Sequence, residues 1–324
     1  MCNHILKGTQ NYRRSFSCQV NIIGAPVSFG QPKHGTDEGP EAIRSTGFIQ
    51  TLEKLNWKPK DSGDIVFSSS GQTSEINGVK NVVQVSHSCE KIAKAVEESC
   101  SKFDRTIVLG GDHSLAIGSL SGHATAHPDV CVIWIDAHPD INTVKSSMSG
   151  NMHGMPFSFL IREMIQNESN NIKESLFRWI KGSVSASSFA FIGIRDVDEA
   201  EKNFLQTLSL TCFSADDVSK IGANEVMSRI LDRINPDLKK PIHVSFDVDA
   251  LDPQFASSTG TPVDQGLSLD DAISMAKIIQ ETKKLSVLDV VEVNPLIGSP
   301  EQVKQTCKSA HDVIVNFLGS CTSE

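Results

Sequence analysis

No run of about 18 apolar residues occurs anywhere in this chain of 324 residues, so no segment is expected to span a membrane. Clustered basic charge is missing too: no basic stretch is longer than a pair such as Arg13-Arg14 or Lys239-Lys240, on a formal net charge of −9. That balance excludes nucleic acid and anionic membrane surfaces as expected partners. The acidic residues are scattered, and no acidic tail exists. The eight cysteines (Cys2, Cys18, Cys89, Cys100, Cys131, Cys212, Cys307, Cys321) form no CxxC pair. They read as reduced, buried small residues of an intracellular protein. Finally, no acid precedes Asp37, whereas Lys7, Arg13, Arg14 and Lys33 are basic. Residues 1–18 therefore read as an N-terminal extension, either a mitochondrial presequence or a ragged cytosolic end. The cytoplasm is the expected compartment and the mitochondrial matrix the alternative.

What is present is an alternation of short apolar runs with longer amphipathic segments. Strands are expected at 20–23, 106–109, 131–135, 189–194, 211–213, 242–246 and 287–291. In 81–102 the apolar residues Val82, Val85, Cys89, Ile92, Ala93, Val96 and Cys100 recur at helical spacing. Further helices are expected from 40 to about 46, from Ser114 as cap to about 126, and at 156–165, 199–208, 215–234, 269–282 and 300–318. The last opens on Ser299-Pro300-Glu301-Gln302, a capping box with proline at the first helical position. Residues 58–80 lack periodicity apart from Ile65-Val66-Phe67, and 68–74 read as an exposed loop. Strands alternating with helices imply right-handed crossovers and an α/β fold: one domain, 19–320, built on a mostly parallel β-sheet flanked by helices on both faces.

In such sheets ligands bind beyond the carboxyl ends of the strands. Here those ends carry Asp112-His113, then Asp136, His138 and Asp140, then Arg195-Asp196-Val197-Asp198, then Asp247-Val248-Asp249, then Glu292. Taken singly, each has an ordinary reading as a loop histidine, a helix cap or a solvated strand end. Jointly they do not, because apolar strands that all finish in charge ask for one common explanation. In Asp136-Ala137-His138-Pro139-Asp140 an extended backbone would send the three polar side chains to one side, where they would converge. Neighbouring buried carboxylates cost several kcal/mol per ion unless a cation lies between them. The candidate ligand set is four aspartates (Asp136, Asp140, Asp247, Asp249) and two histidines (His113, His138). Without a thiolate, it favours a harder or borderline ion such as Mn²⁺ over a structural Zn²⁺. Four negative charges also exceed what one divalent ion balances, so two are expected. His153, in the polar segment Ser149-Gly150-Asn151-Met152-His153-Gly154, reads either as a proton shuttle near the same edge or as a surface histidine.

Six ordered stretches give the chain a resemblance to the arginase family of the ureohydrolase superfamily. They are Gly110 onward through Gly-Gly-Asp-His-Ser-Leu-Ala-Ile-Gly, residues 134–142, residues 149–154, Gly193-Ile194-Arg195-Asp196-Val197-Asp198, Ser245-Phe246-Asp247-Val248-Asp249 with Thr259-Gly260-Thr261-Pro262, and Val291-Glu292-Val293-Asn294-Pro295. The resemblance implies a binuclear Mn²⁺ centre, two ions per chain, held by His113, Asp136, His138, Asp140, Asp247 and Asp249, with Asp136 and Asp247 bridging. It implies hydrolysis of L-arginine to L-ornithine and urea by a metal-bridging hydroxide. Glu292 would hold the substrate guanidinium and His153 would serve as proton shuttle. Thr261 would lie near the guanidinium. At the other end of the substrate Asn142, Ser149 and Asn151 would bind the α-carboxylate, and Asp198, helped by Asp196 and Glu201, the α-ammonium. A homo-oligomer, favoured as a trimer, and a part in arginine metabolism (the urea cycle or ornithine supply) are implied as well. Two alternatives stand beside this reading: an agmatinase or other guanidino hydrolase, and a catalytically silent member serving as a binding or regulatory subunit. Pro139 departs from the family pattern; its side chain is expected to point outward from an alternating strand end.

Overall fold

Each apolar run forms a strand, and most strands begin or end one or two residues beyond the run because backbone pairing continues past it. The computed structural model describes residues 17–67, 74–167 and 171–322. The proposed extension up to residue 16, with Cys2, and most of the loop expected at 68–74 lie outside the described residues. The strands are β1 (Gln19–Ala25), β2 (Lys58–Asp64), β3 (Glu75–Ile76), β4 (Val79–Lys80), β5 (Arg105–Gly110), β6 (Cys131–Ile135), β7 (Phe189–Ile194), β8 (Thr211–Ser214), β9 (Ile242–Asp247) and β10 (Leu285–Val291). The helices are α1 (Gly39–Arg44), α2 (Phe48–Lys54), α3 (Val82–Lys102), α4 (Ala116–Ala126), α5 (Pro156–Leu160), α6 (Arg162–Asn167), α7 (Asn171–Leu176), α8 (Glu199–Thr207), α9 (Ala215–Ile221), α10 (Ala223–Ile234), α11 (Leu269–Thr282) and α12 (Pro300–Leu318).

Eight strands make one sheet in the order β2-β1-β5-β10-β9-β6-β7-β8, and all its pairings are parallel. Their carboxyl ends therefore share one edge. Strands β6, β7 and β9 are buried along their whole length. On one face Ile107, Leu109, Ile133, Ile135, Val244 and Phe246 meet α10, α11 and α12. On the other, Val132, Trp134, Phe189 and Phe191 meet Phe157 and Leu160 of α5. The architecture is the single α/β layer stack that the alternation implied.

Four local expectations change. β2 (Lys-Pro-Lys-Asp-Ser-Gly-Asp) is a strand without periodicity, because it lies at the sheet edge with both faces largely exposed. Its charges and proline block further pairing. The helix expected at 156–165 breaks at Ile161, which turns extended to bridge Val184. The one expected at 215–234 breaks at Gly222, whose φ of 83° no helix accommodates. Ser114 does not cap α4, which has no side-chain cap; the Asp112 side chain caps the short 3-10 turn His113–Leu115 before it, accepting from Ser114 N at 2.9 Å. Downstream, Gly118 and Gly122 let α4 press directly on α3. A Cβ on either would stand 2.4 and 2.3 Å from the Cys89 and Ala93 carbonyl oxygens.

The cysteine reading is corrected. Cys18, at the foot of β1, is joined by a disulfide to Cys321, just past α12, across 303 residues of sequence. Spacing could not reveal this pairing, since only the folded sheet brings the two ends together. Cys89, Cys131 and Cys307 are free and buried, as expected. The bridge ties the chain at the amino ends of the strands, where Lys58 N donates to Cys18 O at 2.7 Å and Cys321 N to Leu55 O at 2.8 Å. Restricting so long a loop is worth about 2–5 kcal/mol. Replacing Cys321 with serine should therefore lower the melting temperature by several degrees and leave kcat unchanged. Calorimetry with and without reductant checks this; a melting temperature indifferent to both reductant and substitution would remove the disulfide from the account.

Candidate metal centre and cleft

The segment after β6 carries the first ligands, but its backbone is not extended. Asp136 accepts from His138 N at 2.7 Å, a side-chain turn that folds the loop back. Asp140 then takes a left-handed φ of 49°. Convergence comes from this tight turn rather than from strand alternation, and Pro139 is buried within it instead of pointing outward. Pro139 fixes one φ of a turn whose other members must face inward. The end of β9 does the same more briefly, as Asp247 accepts from Asp249 N at 2.8 Å.

All six expected ligands meet. His113 Nδ1 lies 3.0 Å from Asp136 Oδ2, 3.2 Å from Asp247 Oδ2 and 3.3 Å from Asp140 Oδ2. His138 Nδ1 lies 3.3 Å from Asp249 Oδ2 and 3.4 Å from Asp136 Oδ1. Two groups with cation-holding geometry result, His113-Asp136-Asp140 and Asp136-His138-Asp249, and Asp136 presents one oxygen to each. His113 Nδ1 and Asp136 Oδ2 are buried without a hydrogen-bond partner in the protein. Buried polar atoms are almost always paired, so these two, aimed at one point among carboxylates, fit a cation. The donor set, oxygen-rich with two imidazoles, fits a divalent ion of hard or borderline character.

The electrostatics carry the same message. Burial disfavours charge on the His113 ring, yet the surrounding Asp136, Asp140 and Asp247 outweigh it and raise its pKa well above the usual histidine range. His138 is likewise raised against burial, by Asp249 and Asp136. Burial and the Asp136 charge push Asp140 up to about 6. Burial, Asp249 and Asp136 hold Asp247 well above a normal carboxylate. The protein thus retains protons where it has no other positive charge to place. Arg195 contributes from behind: its guanidinium donates to the carbonyls of Asp249 and Val263 at 2.7 Å, and to Gly193 and Ala250 at 3.1 and 3.2 Å. It thereby fastens the Asp249 loop to the segment leading to Thr261. The sequence placed Arg195 at a strand end without a role; a lone arginine among aspartates was the available signal. Trp134 was missed as well, and its ring stacks on His113 at a centroid distance of 3.8 Å and an angle of 5°.

Above the aspartates lies a cleft of about 310 Å³ lined by His138, Asp140, Asn142, His153, Asp196, Asp198, Glu201, Asp247 and Thr261. Glu292, next to the cleft residue His153, is 3 % exposed and has a left-handed φ of 63° that is uncommon for glutamate. Its Oε1 accepts from His113 N at 2.8 Å and lies 3.7 Å from His153 Nδ1. His153 is a cleft residue, not a surface one. Burial lowers its pKa, but Glu292, Asp140 and Asp112 together outweigh it, so the net shift is upward. Thr261 Oγ1 donates to Asp249 Oδ2 at 3.0 Å. Asn142 Nδ2 donates to Asp198 Oδ2 at 2.6 Å, and Glu201 completes the capping box of α8 with Asp198. Burial and nearby Asp140 push Glu201 up to about 8. Ser149 and Asn151 are not among the walls of the cleft; they stay in the exposed turn beyond it, Asn151 N donating to Ser149 Oγ at 3.2 Å.

A model of the Arginase family matches residues 18–319. Arginase-1 of Bos taurus is 44 % identical over 306 residues, covering 93 % of this chain and 92 % of that protein. The crystal structure of arginase from Bacillus cereus superposes with a TM-score of 0.82 at 31 % identity, covering 94 % of this chain and 99 % of that one. That of Entamoeba histolytica arginase in complex with L-ornithine gives 0.81 at 30 % identity, covering 93 % and 99 %.

Metal uptake should release protons. A histidine with a raised pKa keeps its proton until the pH passes the raised value, so His113 and His138 hold the protons a cation must expel. Affinity should accordingly fall as the pH is lowered from 8 to 6, and binding heats should depend on buffer ionisation enthalpy. Titration calorimetry in two buffers checks both; pH-independent uptake with buffer-independent heats would contradict the site.

Proposed function

The chain belongs to the arginase family, and from that premise we propose that its cleft hydrolyses L-arginine to L-ornithine and urea at a pair of manganese ions. The observation that carries the reading is the arrangement of Glu292 against the ligand cluster: a buried carboxylate whose Oε1 is tied to the His113 N–H at 2.8 Å and lies 3.7 Å from Nδ1 of His153, which lines the cleft together with Asp140 and Asp247. A guanidinium is planar and permanently charged, and it pairs best with a carboxylate held in one orientation. His113, Asp136, Asp140 and Asp247 would hold one ion and His138, Asp136, Asp247 and Asp249 the other. When bound, the ions supply Lewis acidity and bring the pKa of water from about 15.7 toward neutrality.

The chain's own residues do the rest. Glu292 fixes the guanidinium carbon over the cluster. Thr261, anchored on Asp249, borders the same space. In the reaction a water oxygen bonds to the guanidinium carbon, the carbon–nitrogen bond to the ornithine side breaks, and that nitrogen takes up a proton. His153, charged in the presence of Glu292 and open to the cleft, is placed to deliver it. At the mouth Asp198, with Asp196 and Glu201, presents carboxylates to the α-ammonium. Asn142, with the turn bearing Ser149 and Asn151, presents donors to the α-carboxylate. Agmatine has no carboxylate, and each donor left unpaired costs about 1–3 kcal/mol. Family membership also supports a homotrimer and a place in arginine catabolism.

Urea should form from L-arginine and not detectably from agmatine, disappear on chelation and return with Mn²⁺. Glu292→Gln should lower kcat/KM by about two orders of magnitude, since about 2–3 kcal/mol rests on a charged hydrogen bond. Asp198→Ala should raise KM about tenfold with kcat little changed, for the same class of contact at the exposed end. Equal rates with agmatine and arginine would defeat the substrate assignment.

A further inference from the structure

Strand β9 hides a polar stripe. In Ile242-His243-Val244-Ser245-Phe246-Asp247 every residue is buried, and the second, fourth and sixth are polar, so His243, Ser245 and Asp247 share one face. On the adjoining β10, Asp289 stands in register with Ser245 and is 0 % exposed. One turn apart on α4, Ser119 and His123 face the same stripe, likewise buried. A buried carboxylate surrounded by apolar strands costs several kcal/mol unless it is fully partnered, and this one is. Asp289 Oδ1 accepts from Ser119 Oγ at 2.6 Å. Its Oδ2 is 2.9 Å from His243 Nε2 and accepts from Ser245 Oγ at 3.5 Å.

The chain of bonds runs on into the metal centre. Ser245 Oγ lies 2.9 Å from Nε2 of His113, the nitrogen opposite the one that faces the aspartates. An ionised carboxylate only accepts, so the Ser245 hydrogen points to Asp289 and its lone pair faces His113. His113 must then keep a proton on Nε2, so the proton that a cation expels leaves from Nδ1, whose lone pair is then directed at Asp136, Asp140 and Asp247. On the far side His243 and His123 meet Nδ1 to Nδ1 at 3.1 Å. Burial and the adjacent His243 hold His123 well below the usual histidine pKa, hence neutral. His243 Nε2 donates to Asp289, and the two rings share one hydrogen between their Nδ1 atoms. The hydrogens of Ser119 Oγ, His243 Nε2 and Ser245 Oγ are all directed toward Asp289.

We infer that Asp289 is a positioning residue for the metal centre, acting through the Ser245 hydroxyl to fix the tautomer and ring orientation of His113. His243 and Ser119 hold the carboxylate in place. The inference rests on His113 being a ligand, and the experiment separates the two. Mn²⁺ dissociation constants of the full chain are measured by chelator competition, with the unfolding temperature of the metal-free protein followed in parallel. Ser245→Ala deletes one hydroxyl and should weaken binding of one ion by about 10–100-fold, the usual effect of losing an outer partner of a ligating histidine. Ser245→Thr, which keeps the hydroxyl, should recover most of that loss. Asp289→Asn should match Ser245→Ala, and the double variant should be no weaker than either, because both act along one path. If His113→Ala retains both ions at parental affinity, the ligand assignment fails and the inference falls with it. If His113→Ala loses an ion while Ser245→Ala and Asp289→Asn bind as the parent does and only melt earlier, Asp289 is a packing residue and the inference is overturned.

Discussion

Mutual repulsion among Asp136, Asp140, Asp247 and Asp249 is the constraint around which the rest of this structure is arranged. Asp136 and Asp249 are at most 1 % exposed and Asp247 only 3 %, so water cannot screen them. Left alone, such a group would either protonate or force the strand ends apart. The fold answers with two imidazoles between the carboxylates, an arginine fastened behind them, and a geometry that leaves His113 Nδ1 and Asp136 Oδ2 without protein partners. The same charge concentration that makes the site expensive is what gives it affinity for divalent cations.

Parallel topology is what makes the arrangement affordable. Because every pairing in the main sheet is parallel, the ends of β5, β6, β7, β9 and β10 arrive at one edge without any strand being interrupted. At the cleft, left-handed backbone falls on two residues past those ends, Asp140 and Glu292. Such conformations cost of order 1–3 kcal/mol each and persist where surrounding contacts over-determine them. Here Asp140 lies beside a buried proline, and Glu292 is held by Gly111 O, which accepts from its N–H at 2.9 Å, and by the His113 N–H. Residues that would relax toward solvent elsewhere are thereby kept aimed into the cleft.

Support comes from around the cleft. The Cys18–Cys321 disulfide holds the chain ends at the amino ends of the strands, Gly118 and Gly122 let α4 pack directly on α3, and the partnered carboxylate of Asp289 reaches His113 through Ser245.

Much of this was legible in the residues. Apolar runs with period-two or period-3.6 spacing located β6, β7, α3, α11 and α12, because each side chain's preference for water or core acts locally and repeats with the backbone. Charge at five strand ends singled out the six candidate ligands and Glu292 for the same local reason, apolar strands having no cause to finish in charge, whereas His153 stood outside that set. The rest was decided by partners distant in sequence. β2 has no pattern because an edge strand has no second face to bury. Asp136, His138 and Asp140 converge through a left-handed turn around a buried Pro139, which alternation along a strand could not anticipate. The disulfide joins residues 303 positions apart, and Asp289 looked like one polar residue in an apolar strand until the register of β10 on β9 set it beside Ser245. The sequence by itself determined which groups must be buried and charged. Only the tertiary structure decided which of them face one another, since that depends on strand order and register, and neither is encoded in the neighbourhood of any single residue.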